Sequence, residues 1–313
     1  MQGEAQRTVR ADINDLPFGS DYSTFGCTVN RIGVDELFSK YEACGFMYAA
    51  KKTRLQPYWA RVVDNWRRSM SAPAGCFLND VVVFEDSRTG AWASMSHWAT
   101  TTSGGQAQHL VSVGRPEGSR AVMLPTHSQA HARGHVASQN WFRAENRFPA
   151  RVFGSCTPAL GPAHAVLHEH CCVTIAHESM PELCGTVKVT RCTDADSKTV
   201  ELLAVRLCGE VQAKADEWAA GDIGLSQLDE RFKTVGLRRH RTVFIAVAHG
   251  VQEPVGLAVA YRGPLGLNFS FLENRCELWI DPHLDAERRD KTIASLVKAA
   301  SHAYTDCELP FML

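Results

Sequence analysis

Histidine and cysteine side chains are concentrated in two stretches of the sequence, at spacings that could bind a metal ion. His127, His131 and His135 follow one another at intervals of four residues. Two histidines one helical turn apart can share a zinc ion, and Cys or His side chains from elsewhere can complete its four ligands. The second stretch supplies such groups: His164, His168, His170, Cys171, Cys172 and His177.

This metal interpretation lacks the motifs that would make it specific. No Glu lies between His127 and His131 in the arrangement of an HEXXH motif, and the sequence contains no CxxC pair. We therefore favour scattered surface histidines over a zinc site, and we expect no bound metal.

Polar side chains also gather after a loop that two glycines and a proline shape between 263 and 266. Polar groups between apolar runs can line a pocket. Alternatively, Asn and Ser at such a turn satisfy their own backbone. Both interpretations stay open, and the candidate substrate-binding residues are Asn268, Ser270, Glu273, Asn274 and Arg275.

The composition is that of a globular protein with two domains. The 313 residues exceed the usual size of one domain, and 45% hydrophobic with 21% charged residues permits packed cores. The net charge of -1 argues against a general nucleic-acid binder. The start has no apolar signal segment, and no stretch approaches the roughly 18 apolar residues of a membrane helix. The eleven cysteines are scattered, so we expect reduced thiols and a cytoplasmic protein.

The elements that would position these residues follow one order in both halves of the chain. In the first half, 24–32 predicts a strand, 34–44 a helix, and 59–70 a helix with one apolar stripe. The rest of this half predicts a hairpin of two strands at 80–86 and 91–98, followed by a strand at 108–113. A helix to about 133, interrupted by Pro125, a strand at 136–143 and a helical or turning segment at 146–154 come next.

The second half repeats this order. It comprises a strand at 187–191, a helix capped by 193–196, a hairpin at 242–248 and 255–261, a strand at 271–280 and a helix that includes Ile293 to Tyr304. Residues from Leu309 onward look like the start of another strand. We expect the sheet edge there to be covered, by residues 156–183 or by the first sheet, because an open edge recruits a partner strand.

This order of elements and several local segments resemble the GNAT (general N-acetyltransferase) superfamily. VKVTRCTDADSKTVELLA (187–204) is similar to the family's first strand and helix, and VFIAVAHGVQEPVGLAVAY (243–261) to its central hairpin. In the first half, VVVFEDSRTGAWASM (81–95) resembles the same hairpin. In RAENRFPARVFGS (143–155), Asn146 is followed by Ala four residues on and Phe153 seven on, whereas family members often carry Ala three residues after the Asn and Tyr seven after it.

The resemblance implies an α/β (α+β) fold of two consecutive GNAT-like modules, each a mixed, largely antiparallel sheet flanked by helices. The implied organisation is a flexible lead-in at 1–22, a first module at 23–155, a linker at 156–183 and a second module at 184–313. The second module looks C-terminally incomplete, because the family's final strands would follow Leu309.

The resemblance also implies that the first module binds acetyl-CoA or another acyl-CoA. The family's pyrophosphate loop, Gln/Arg-x-x-Gly-x-Gly/Ala, matches Arg115 and Gly118, with Arg120 in place of the last small residue. Backbone N–H groups at a helix N-terminus attract phosphate, and a guanidinium can bind it bidentately. The equivalent segment of the second module, 281–289, is acidic and has no glycine. Candidate cofactor-binding residues are Arg115, Gly118, Ser119, Arg120 and Asn146.

Transfer of an acyl group to an amine calls for a base, and for an acid to protonate the leaving thiolate. The family's usual acid is a tyrosine, but this chain has none between Tyr58 and Tyr261. Glu85, His97 and His109 lie on predicted central strands and are candidate bases. Each can equally be structural, as a surface carboxylate or a hydrogen-bonded strand histidine.

We therefore expect an N-acyltransferase-like protein that binds acyl-CoA in its first module. The alternative is a catalytically inactive binding or regulatory protein of the GNAT fold, which the missing tyrosine favours. We expect neither nucleic acid nor a membrane as partner. The sequence leaves the acyl group, the acceptor amine and the oligomeric state open.

Overall fold

The structure is a computed structural model that describes residues 26–73, 76–114, 117–175, 187–305 and 311–312. The chain packs into two compact units. Unit 1 comprises Met1–Trp141, Thr234–Leu237 and Gly266–Ser270, and unit 2 comprises Phe142–Lys233, Arg238–Leu265 and Phe271–Leu313. Residues 142–155, which the sequence analysis placed in the first module, therefore pack within unit 2.

Unit 1 is built on a five-stranded mixed sheet. Its strands lie in the order β1-β2-β3-β4-β5, and only β4 and β5 are parallel. The strands are β1 Cys27–Val29, β2 Asn79–Asp86, β3 Ala91–Ala99, β4 Gly104–Val113 and β5 Ala137–Gln139. The helices are α1 Val34–Ala43, α2 Ala49–Leu55, α3 Trp59–Met70 and α4 Glu117–Ala132.

Helices cover this sheet because each carries one apolar stripe. The stripe of α3 buries Val62, Val63 and Trp66, as the spacing in the sequence predicts. Helix α4 packs Val122 against Val82 and other side chains of β2, β3 and β4. All nine residues of β3 are buried, so this strand forms the centre of the unit.

Pro125 lies inside α4 without ending it. A proline has no N–H, so the carbonyl four residues earlier loses its helical hydrogen bond. That carbonyl belongs to Ala121, and the thiol of Cys27 on β1 donates to it at 3.4 Å. The sequence predicts that the helix is interrupted at Pro125. In the structure the helix continues, and the carbonyl of Ala121 accepts a hydrogen bond from the thiol of Cys27 instead.

Unit 2 is built on a four-stranded antiparallel sheet in the order β10-β9-β8-β7. Its strands are β7 Val187–Arg191, β8 His240–Ala248, β9 Gly256–Arg262 and β10 Cys276–Ile280. Its helices are α5 Arg147–Leu160, α6 Ser197–Ala215, α7 Ser226–Lys233 and α8 Ala286–Ser301. A separate two-stranded sheet pairs β6 Thr174–Ile175 with β11 Phe311–Met312.

Alternating residues of the unit 2 sheet face two cores. Val243 and Leu257 pack beneath α6, while Phe244 and Ala258 pack beneath α8. Helix α6 is preceded by the capping box of Thr193 and Asp196 that the sequence predicts. In the described residues, no helix has the length and apolar character needed to cross a membrane.

The predicted fold class is confirmed, as a mixed sheet and an antiparallel sheet flanked by helices. The differences are local. Helices α2 and α7 have no predicted counterpart, the strand expected at 136–143 is reduced to β5, and β10 begins at Cys276 after a 3₁₀ turn at 272–274. Phe311–Met312 pair with Thr174–Ile175 of the 156–183 stretch, but as a separate two-stranded sheet, so the expected cover over the edge of the second module's sheet stays a prediction.

Gly266 packs against α3 more closely than any other residue type could. Its φ is +80°, and a Cβ there would lie 2.4 Å from Cγ2 of Val62. Its carbonyl accepts a hydrogen bond of 2.7 Å from the indole nitrogen of the buried Trp66. The glycine thus brings the segment Gly266–Ser270, called here the 266–270 segment, into the core of unit 1.

We expect Gly266→Ala to destabilise the protein more than Gly45→Ala does. Both glycines have similar positive φ, +80° and +75°, but a Cβ on Gly45 has nothing within 4 Å. Left-handed backbone costs a non-glycine residue about 1–2 kcal/mol. Overpacking against Val62 should add about 1–3 kcal/mol. Urea unfolding of both variants measures the difference, and equal free energies of unfolding would contradict the close contact.

Candidate functional site

The strand β4 is interrupted by a β-bulge in the middle of the unit 1 sheet. Ser94 pairs with Val111, but Ser96 pairs with Gln108, so β4 contains one residue more than β3 between these pairs. His109 lies in the bulge with φ +53°. A bulge bends the strand and redirects its side chains, and bulges are often found beside active sites.

The imidazole of His109 is held at both nitrogens. Its Nε2 accepts the backbone N–H of Phe269 at 3.3 Å, so in the neutral ring the proton is on Nδ1. Nδ1 lies 3.3 Å from Oγ of Ser96, and Ser96 Oγ donates to the carbonyl of Gln108. Burial lowers the pKa of His109 well below its usual range, and the ammonium of Lys51 lowers it further. The ring is therefore neutral, and the lone pair of its Nε2 already accepts the hydrogen bond from Phe269.

The 266–270 segment covers this side of the bulge. Gln108 Nε2 donates to the carbonyl of Leu267, and Asn268 Nδ2 donates to Gln108 Oε1, both at 2.6 Å. The ring of Phe269 stacks on His109 with 4.3 Å between centroids. Further aromatic rings of unit 1 surround this pair: Phe38, Tyr41, Phe46 and Trp66.

On its outer side, β4 parts from β5. Residues Gly104, Gly105 and Gln106 pair with β5, and in the described part of the chain this ladder does not continue along 107–113. Helix α4 begins at Glu117, soon after β4 ends. A length of unpaired strand edge and a helix N-terminus therefore lie next to each other along the chain.

The described residues among those predicted to bind coenzyme A lie in the first turn of α4 and at the residue before α5. Gly118 lies in the first turn of α4, where a Cβ would come within 3.0 Å of Ser112 Oγ and 3.1 Å of Ala93 Cβ, so this glycine lets the helix approach the sheet. Ser119 is half-buried and Arg120 is exposed. Arg115 lies outside the described residues.

Asn146 precedes α5 as its N-cap residue, with no hydrogen bond from its side chain to the helix. It belongs to unit 2, while Gly118 to Arg120 belong to unit 1. A role for Asn146 beside coenzyme A therefore stays a prediction from the resemblance.

The other two candidate bases occupy contrasting environments. Glu85, on β2, is exposed and forms an ion pair with Lys40 at 3.3 Å. His97, on β3, is buried, and neither ring nitrogen has a hydrogen-bond partner among the described residues. Its ring lies 5.3 Å from that of His135 and 6.3 Å from that of His127. Burial, then these two neighbours, lower the pKa of His97 well below its usual range.

The predicted histidine row therefore does not act as one group. His127 and His135 turn toward His97, whereas His131 is exposed. In the described residues, no three His, Cys, Asp or Glu side chains are arranged to hold a metal ion.

The candidate substrate-binding residues make internal contacts. In unit 1, Asn268 Oδ1 accepts the backbone N–H of the exposed Ser270, in addition to the bond to Gln108. In unit 2, Asn274 exchanges hydrogen bonds with the backbone of Gly263 through both atoms of its amide. Arg275 forms a buried ion pair with Glu277.

Glu273 is fully buried in the 3₁₀ turn before β10. Its carbonyl accepts a 3.0 Å hydrogen bond from Arg239, and the guanidinium of Arg239 lies 5.0 Å from the centroid of the Tyr261 ring. The backbone of Glu273 thus has a structural part in unit 2.

Sequence reasoning missed the residues that shape the bulge. Ser96, Gln108 and Phe269 have no distinctive motif, and Gln108 meets Leu267 across 159 positions. The one local signal is His109 inside a strand candidate, which does not by itself predict a bulge.

Comparisons with known proteins find similarity among solved structures. No family model matches the chain, and a search of curated proteins returns no match. Among solved structures, the chain is similar to a tandem GNAT protein from the clavulanic acid biosynthesis pathway, determined without AcCoA. Identity is 12%, the TM-score is 0.37, and 80% of this chain and 77% of that chain are covered. A Drosophila protein from a structural genomics consortium is similar at 15% identity and a TM-score of 0.35, over 89% and 85% of the two chains.

At TM-scores this low, neither similarity carries an argument about function. Unit 1 itself shows the antiparallel order of β1 to β4, the parallel β5, the bulge at His109 and the parting of β4 from β5.

We expect His97→Asn to reduce the pH dependence of stability. Unfolded histidine has a pKa of about 6.5, and the folded pKa of His97 is well below this. As pH falls below about 6.5, the unfolded chain takes up a proton that folded His97 does not. The free energy of unfolding then decreases by up to about 1.4 kcal/mol per pH unit for this group.

Urea unfolding between about pH 7 and about pH 5 measures this slope, and the asparagine variant should show a shallower one. The matched control is His164→Asn, because His164 is exposed. An unchanged slope in His97→Asn would show that the buried ring does take up a proton in the folded state.

Proposed function

We propose that unit 1 binds an acyl-coenzyme A, acetyl-CoA or a close relative, and that the chain is an N-acyltransferase-like protein. The observation that carries the proposal is the parting of β4 from β5 after Gln106, in the strand that precedes α4. The GNAT-like order of strands supports it.

The chemistry of coenzyme A fits these residues. Its pantetheine arm is an extended chain with two amides, and an unpaired strand edge offers donors and acceptors to such a chain. Its pyrophosphate needs convergent donors, which the first N–H groups of a helix supply with the aid of the helix dipole. Ser119 and Arg120 lie in the first turn of α4, and an exposed arginine there can add a charged contact.

In the proposed reaction, the amine nitrogen attacks the thioester carbonyl, an amide bond forms and the carbon–sulfur bond breaks. One proton leaves the amine and the thiol leaves protonated. Among the three candidate bases, Glu85 is exposed, His97 is buried, and the Nε2 lone pair of His109 is occupied by Phe269. His109 can serve as base only after the 266–270 segment moves.

Calorimetric titration of the full chain with acetyl-CoA tests the binding proposal. We expect saturable binding that Ser119→Glu weakens at least tenfold, which corresponds to about 1.4 kcal/mol. A glutamate at the third helical position favours the helix but repels phosphate, so the variant should fold normally. Arg120→Ala should weaken binding through loss of a charged donor.

The matched control is Arg31→Ala. Arg31 is an exposed arginine that follows β1. It lies at the other end of the sheet from the N-terminus of α4, because Val29 pairs with Val82 and β1 runs antiparallel to β2. Binding should be unchanged in this variant. Absence of heat at millimolar acetyl-CoA, or equal weakening in Arg31→Ala, would refute the proposed site.

A second candidate function is binding without turnover, as in a regulatory protein. The observation that favours it is the cover over the bulge, where Phe269 stacks on His109 and its N–H occupies the ring nitrogen. In this case, the chain should bind acetyl-CoA yet release no free thiol with a panel of amines. Release of coenzyme A together with an acylated amine, detected by mass spectrometry, would eliminate this second function.

A further inference from the structure

A groove with basic side chains lies on the α8 side of the unit 2 sheet. The pairing register places Arg191 opposite Phe244 and His240 opposite Arg262. Thr242 lies between these pairs on the same face, since alternate residues of a strand point the same way. These side chains and the end of α8 enclose about 470 Å³.

The groove is open because α8 presents small side chains at this point. Ala299 and Ala303 form the wall, one helical turn apart, and α8 ends at Ser301. Earlier in the helix, Leu296 and Val297 fill the space above the sheet. The volume lies within the range of about 300–1,000 Å³ that is typical of small-molecule sites.

The ionisable side chains that line the groove are all basic. Arg191, His240, Arg262 and His302 line it, and no acidic side chain does. Arg262 already donates to the carbonyl of Ala303 at 2.6 Å, which fixes its position. Arg191 is exposed and has no acidic partner in the part of the chain that the structure describes.

His240 adds a polar atom that faces no protein partner. Its Nδ1 is buried and has no hydrogen-bond partner among the described residues. A buried polar atom without a partner costs free energy, so a ligand that supplies one is favoured. The remaining lining is apolar, from Val189 and Phe244 below and the alanines of α8 above.

We infer that this groove binds a small organic anion, a carboxylate or a phosphate monoester on a compact apolar body. The planar guanidinium of Arg191 suits either anion, because both accept two parallel N–H donors. The apolar body would lie on Phe244 and against Ala299. The site consists of unit 2 residues alone, so it does not depend on acyl-CoA binding by unit 1.

Calorimetric titration of the full chain with phenyl phosphate and with benzoate tests this inference, and benzyl alcohol serves as the uncharged probe. We expect at least one anion to bind and the alcohol to bind at least tenfold more weakly. The tighter of the two anions identifies the ligand as a phosphate or a carboxylate. No binding of either anion at millimolar concentration would overturn the inference.

Two variants locate the binding. Arg191→Gln removes one charge from an exposed side chain and should weaken anion binding at least tenfold. Ala299→Phe should abolish it by filling the groove. The matched control is Lys188→Gln, because Lys188 is exposed on β7 and points to the other face of the sheet. Equal loss in Lys188→Gln, or unchanged binding in a folded Ala299→Phe protein, would overturn the assignment.

Discussion

The bend of β4 at His109 determines how unit 1 is assembled. A non-glycine residue with positive φ is strained, and it persists only when its surroundings hold it. Here Ser96 holds one ring nitrogen, the N–H of Phe269 holds the other, and the Phe269 ring stacks on the imidazole. The 266–270 segment reaches this position only because Gly266 passes close to Val62. The bulge, the glycine and the aromatic cluster are thus mutually dependent.

This arrangement separates two functions that an acyltransferase needs. Beyond Gln106, the outer edge of β4 has no paired strand among the described residues, and α4 follows β4, an arrangement that would suit the proposed acyl donor. The bulge itself is covered by Phe269, which uses the lone pair that a base would need. Binding without turnover is therefore physically consistent with the structure, and the two proposed functions differ only in whether the 266–270 segment moves.

The core of unit 2 contains buried charged side chains. Arg241 donates to the carbonyls of Ile223 and Asp216 and lies 3.7 Å from the centroid of the Trp218 ring. Burial, then the nearby Glu277, raise the pKa of Asp216 to about 6. Removing one partner of such a network leaves an uncompensated buried charge, which is strongly destabilising. By contrast, Arg191 lies at the edge of the basic groove, where a ligand can reach it.

Sequence reasoning predicted the features that depend on neighbours in the chain. Three examples are the apolar stripe of α3, the hairpin of β2 and β3 and the capping box before α6. Each depends on residue types and spacing within one short segment, so the sequence of that segment predicts it. For the candidate site, Gly118 to Arg120 lie in the first turn of α4, and their role toward coenzyme A stays a prediction. The closure of His109 by Phe269 leaves no local signal in the sequence.

Only the tertiary structure decided the contacts between residues that are far apart in the chain. Gln108 meets Leu267 and Asn268 across about 160 positions, and no spacing rule connects them. Likewise, Arg191, His240 and Arg262 share one face only because of the pairing register of three strands. A register shift of one residue would turn these side chains to the other face. The sequence by itself determined most of the helices and strands and their order, because these follow from local periodicity, whereas register and long-range packing decided which polar groups meet.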